Sequence, residues 1–149
     1  MTALKVTIGA AGTVFFGSFL PWVAVAVPNA GTLDQSGGEF DYVRAILLVY
    51  QSGMDGDGVF TAIASSILLI IAFVAHAKKT LGSGMSIFMV LLSCGIALIS
   101  VDDFLQFQIF AGDGLGIEIS AGIGLYLVQI GAVVAITASI IAMRARDKN

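Results

Sequence analysis

From Ala121 to Met143 the chain carries no Asp, Glu, Lys or Arg, and Arg144, Arg146 and Lys148 follow within five positions. A helix rises about 1.5 Å per residue and bilayer hydrocarbon is about 30 Å thick, so a run of this length can cross it. A soluble protein would have to bury such a helix on every side. The rest of the chain is not equipped to do so, because 58% of all residues are hydrophobic and 11% are charged. Ordinary globular chains carry about 25% charged residues. With a mean hydropathy of +0.99, the chain reads as an all-α membrane protein.

Three further apolar runs bring the spans to four, at about 3–20, 59–77, 85–101 and 121–143. The first carries one Lys and is followed by an A-x-A match (Ala24-Val25-Ala26). Its apolar part exceeds a signal-peptide core, so it is expected to stay as a spanning helix. Pro21 should end it, and Trp22 is expected to anchor the boundary with its ring among the headgroups. The loop 78–84 is short enough to make the second and third helices antiparallel neighbours. The other two connections, 21–58 and 102–120, are longer.

Both longer connections show strand-like features. Trp22 to Val27 is rich in β-branched residues. Phe40 to Gln51 is apolar but too short to span, and suits either a strand or an amphipathic helix lying at the interface. Its β-branched and aromatic content leans toward the strand. In the second connection, Leu105, Phe107 and Ile109 alternate with Gln106 and Gln108, Gly112-Asp113-Gly114 offers a turn, and alternation resumes at Gly116–Ile119. A short hairpin follows from that pattern. The expected fold is thus one domain over 1–149: a four-helix antiparallel bundle with a small extracytoplasmic β-like cap from the two outer loops.

Charge sets the expected orientation. Lys5, Lys78, Lys79, Arg144, Arg146 and Lys148 fall at one set of helix ends, and of the basic residues only Arg44 falls at the other. Basic residues stay cytoplasmic during insertion, which predicts cytoplasmic N- and C-termini in the cell membrane. All the acids except Asp147 then face outward, giving a negative outer surface.

Chemistry-bearing groups are few. One Cys and one His leave no metal-ligand cluster with them. Cys94 reads as a packing residue and His76 as an interfacial one. Asp57 or Asp55 could cap the second helix. Asp55, Asp57, Asp102 and Asp103 would bind a divalent cation only if folded together, and no Glu completes a calcium-loop pattern. No cofactor motif is present. Thr61, Ser65, Ser66, Ser93 and Ser100 are expected as helix-packing residues.

The fourth helix has two faces that call for protein contact. Gly124, Gly131, Ala135, Ala138 and Ala142 form a stripe of small residues about 60° wide at 100° per residue, which favours close helix approach. Gln129 lies opposite, with Val133, Ile136 and Ile140. A glutamine in hydrocarbon needs a hydrogen-bond partner. One face is met by a four-helix bundle; the other points to a partner, with Gln129 reaching the headgroups as the alternative.

Leu20-Pro-Trp22, Gly56-Asp-Gly58 and Gly122-Ile-Gly-Leu-Tyr126 resemble small, uncharacterised four-helix membrane proteins of bacteria. The overall plan is also similar to that of claudin-type tetraspan proteins, with a long first outer loop and a tryptophan just past helix one. The paired outer-loop cysteines of claudins are missing, so the resemblance implies a plan and no adhesive role. The function expected is a non-enzymatic accessory or scaffold subunit that binds membrane lipids and either another integral membrane protein or copies of itself. The alternative is a small transporter or channel subunit for a neutral or lipid-like solute. Nucleic acid is not an expected partner at a net charge of −3.

Overall fold

The computed structural model describes residues 2–26, 50–53, 56–110 and 118–146. These contain four helices: α1 (Thr2–Phe19), α2 (Gly58–Lys78), α3 (Ser83–Phe110) and α4 (Ile123–Arg146). All four are long and apolar enough to cross a membrane. Large apolar side chains point away from the bundle on every helix, including Phe16, Phe73, Leu98 and Ile130. In water that surface would be a liability. In hydrocarbon it is solvated.

Helix α1 packs on both α2 and α4, and α3 packs mainly on α4. The core runs along these seams through Leu4, Val14, Leu68, Met89, Ile96 and Val128. Hydroxyls are also buried there, and most of them are satisfied locally. Thr7, Ser65, Ser86, Ser93 and Ser100 each donate to a carbonyl three or four residues earlier. This is how short polar side chains are carried inside apolar helices. Ser18 and Thr61 go further and meet across the α1–α2 seam, oxygen to oxygen at 2.8 Å. Each also lies within reach of a carbonyl of its own helix, Val14 and Gly58 respectively. Two hydroxyl protons serve three contacts, so two of the three are hydrogen bonds at any moment.

Three short strands sit where α1 ends and α4 begins: β1 (Pro21–Ala26), β2 (Tyr50–Ser52) and β3 (Glu118–Ala121). They form one antiparallel sheet in the order β2-β1-β3. Pro21 stands opposite Ser52, and Val23 opposite both Gln51 and Ala121. Pro21 opens β1, a place where its missing N–H costs little.

The expected helix bounds hold to within three residues except at the end of α3. The expected hairpin in 102–120 does not form as drawn. Residues 102–110 continue α3, and the following strand pairs with β1. Alternation of Leu105 to Ile109 misleads there because helix-specific contacts decide. Gln106 Nε2 donates to Asp102 Oδ2 one turn back at 2.7 Å, and the Phe104 ring meets Tyr126 of α4 edge-on at 6.2 Å between centroids. No Gly or Pro falls between Gly95 and Gly112 to interrupt the helix there. The Gly112–Gly114 turn and residues 40–49 lie outside the described residues.

Candidate functional site

The two faces of α4 are both engaged within the chain. The small stripe lies on α1. A methyl placed on Gly131 would come within 2.7 Å of Val14 Cγ2 and 3.1 Å of the Ala10 carbonyl oxygen. Ala135, Ala138 and Ala142 are buried along the same line. Small residues here let two backbones meet where lipid removes the ordinary hydrophobic drive. On the other side, Gln129 Nε2 donates to the Ser100 carbonyl oxygen on α3 at 3.2 Å. The polar demand that pointed outward in the sequence is thus met by α3. We expect Gln129→Leu to lower stability by about 1 kcal/mol, measured by SDS titration of the purified protein, and to leave the set of co-purifying proteins unchanged.

Trp22 occupies a different place from the one expected. Its side chain is 3% exposed, so it plugs the end of the bundle and does not lie among headgroups. Indole Nε1 donates to the Gly17 carbonyl oxygen at 3.0 Å. Three glycines make the slot. A Cβ on Gly53 would strike indole Nε1, one on Gly124 would come within 2.8 Å of Cδ1, and Gly17 approaches Gly124 and Val128. The sheet holds the ring from the far side: Gly53 N–H donates to the Leu20 carbonyl and Gly122 N–H to that of Trp22. Gly53 is not singled out in the sequence, and Gly122 enters there only as the first residue of the Gly122–Tyr126 motif. The signal available there was only their position beside strand-like segments.

The acids divide. Asp57 occupies the N-cap position of α2 with φ −68° and ψ −12°, and its side chain makes no capping hydrogen bond. Capping requires an extended residue that folds its side chain back over the first turn, and a helical one cannot do that. The Asp57 carboxyl instead turns toward that of Asp103 on α3. Asp103 Oδ2 is buried without a hydrogen-bond partner among the described residues. Asp102 is exposed and engages Gln106. Asp55 lies outside the described residues. Among those described, no three His, Cys, Asp or Glu residues gather as a metal centre would require. The arrangement is a close pair of carboxyls joining the start of α2 to the upper part of α3.

His76 is half-buried in the last turn of α2, with Nδ1 unpartnered among the described residues, and Cys94 is half-buried and free. The helix closes at Lys79, whose left-handed backbone (φ 55°) lets its N–H reach the His76 carbonyl.

The outward face of α3 makes no use of its apolar side chains within the described bundle. Gly84, Phe88, Leu91, Gly95, Leu98 and Asp102 follow at spacings of four and three and lie within about 80° of one another at 100° per residue. All are exposed except Gly95, which is half-buried. A methyl on Gly95 would meet nothing within 4 Å. Glycine inside a helix costs roughly 0.5–1 kcal/mol relative to alanine, and no close packing among the described residues accounts for it. No protein family, curated protein or solved structure matches this chain.

Proposed function

We propose that this is a non-enzymatic integral membrane protein of the cell membrane that serves as an accessory or scaffold subunit, docking on a larger membrane complex or on copies of itself. The observation that carries the reading is the outward face of α3. It has the seven-residue rhythm of a helix-packing seam, and Gly95 at its middle leaves room for a second backbone. The α4 faces first suspected of this role are occupied by α1 and α3. In this reading the termini are cytoplasmic, which suits Lys5, Lys78, Lys79 and Arg144 at one end of the bundle. The three-stranded sheet then forms the extracytoplasmic cap.

Gly95→Leu tests the reading. A Cβ at position 95 meets no described atom within 4 Å, so stability should stay within about 0.5 kcal/mol of the parent, and co-purifying protein in mild detergent should be lost. A parent protein that is strictly monomeric and free of co-purifying protein would sink the proposal. A small channel or transporter for a neutral or lipid-like solute would need polar groups free to line a path. Most buried hydroxyls here are spent on their own helices, and Ser139 alone among them lacks a partner among the described residues.

A further inference from the structure

A groove of about 370 Å³ runs between the first turns of α1 and the last turns of α4. Thr2 and Val6 form one wall, and Val133, Val134, Thr137 and Ile141 the other. Its polar content is small, because the Thr137 hydroxyl already donates to the Val133 carbonyl at 2.9 Å. The stretch from Val133 to Ile141 gives the groove a length of about 12 Å along the helix.

Exposed basic residues neighbour the groove lining along both helices. Lys5 is exposed on the turn of α1 between Thr2 and Val6, and Arg144 is exposed three residues beyond Ile141, on the same side of α4. Arg146 and Lys148 follow in sequence. Asp57, Asp102 and Asp103 stand at the opposite end of the bundle, where α2 begins and α3 runs out. An apolar slot with exposed cations on the adjoining turns is complementary to one class of membrane component. A helix is a poor occupant: one turn about 10 Å across and 5.4 Å tall takes up about 400 Å³, so less than a turn would fill the groove. A hydrocarbon chain follows its whole length.

We propose that this groove holds an acyl chain of an anionic phospholipid whose phosphate sits at Lys5 and Arg144. The lipid would lie along the α1–α4 seam and brace the pair of helices that pack most extensively. The proposal goes beyond the α3 docking face and does not depend on it.

Native mass spectrometry of the full chain in mild detergent, with equimolar phosphatidylglycerol and phosphatidylcholine of the same acyl composition, provides the test. Phosphatidylglycerol should be retained preferentially, one per chain. Lys5→Ala and Arg144→Ala should each weaken that retention about fivefold, as expected for one basic residue near a headgroup. Val134→Phe narrows the groove and should weaken retention of both lipids. Val6→Phe fills it from the other wall and replaces the first variant if that one fails to fold, as judged by thermal unfolding without added lipid. Equal retention of the two lipids would overturn the proposal, as would a phosphatidylglycerol preference that survives loss of both basic residues. So would a photo-reactive side chain at position 134 that captures a protein in native membranes and no lipid.

Discussion

Gly124→Ala is expected to be among the most damaging single-atom changes in the described part of this protein. The added methyl would stand 2.7 Å from the Gly17 carbonyl oxygen, 2.8 Å from that of Leu20 and 2.8 Å from Trp22 Cδ1. Two of these three neighbours are backbone, so no rotamer change relieves the overlap. The α1 and α4 backbones must part, or the tryptophan must leave its slot. Overpacking of this kind costs about 1–3 kcal/mol in a well-packed core, and Gly124→Val should exceed that range. Gly131→Ala should cost less, because its nearest clash is with the Val14 side chain, which can move. Gly12→Ala should be neutral to stabilising by up to about 1 kcal/mol, since its methyl would meet nothing within 4 Å. SDS titrations of the three alanine variants should rank them in that order. Equal losses at positions 124 and 12 would contradict the described seam.

The second large effect is expected at Trp22. Trp22→Ala empties the slot at the end of the bundle, and truncation of a buried large aromatic typically costs about 3–5 kcal/mol. Trp22→Phe separates bulk from hydrogen bonding. It keeps most of the ring volume and removes the indole donor, while the Gly17 carbonyl retains the Leu20 N–H at 3.2 Å. The loss should therefore be about 1 kcal/mol. Because Trp22 and Gly124 share one contact, their effects should not add. In Trp22→Ala the clash of Gly124→Ala with the ring disappears, and the second substitution should cost measurably less than it does alone. Additive losses would show that the two positions act separately.

The four long helices were legible because nothing about them depends on a partner. Twenty or so apolar residues in a row, bounded by charges, identify a spanning segment whatever it later touches. The strand character of Pro21–Ala26 was also readable from its own residues. What could not be read was whatever depends on distant chain. Trp22 next to a proline reads as an interface residue, and only Gly53 and Gly124, far away in sequence, convert it into a plug. Gln129 reads as an unmet demand until Ser100 of α3 supplies a carbonyl. The end of α3 is the instructive case. Period-two alternation over five residues is a weak signal, and one i to i+4 hydrogen bond with one aromatic contact to α4 outweighs it. The α3 face went unnoticed for a related reason: a glycine in an apolar run gains meaning only when its surroundings are known to be empty.

The helices also differ in length, with 18 residues in α1 and 28 in α3. At about 1.5 Å per residue these are about 27 Å and 42 Å, so a slab that fits α1 upright leaves α3 to tilt or protrude. Mismatch between a helix and its bilayer costs a fraction of a kcal/mol per Å. In a thicker membrane the ends of α1 would be drawn in first, with Lys5 at one end and the Trp22 plug at the other. In a thinner one α3 would simply protrude further and carry its acidic end with it. A change in bilayer thickness would therefore bear first on α1, while α3 has length to spare.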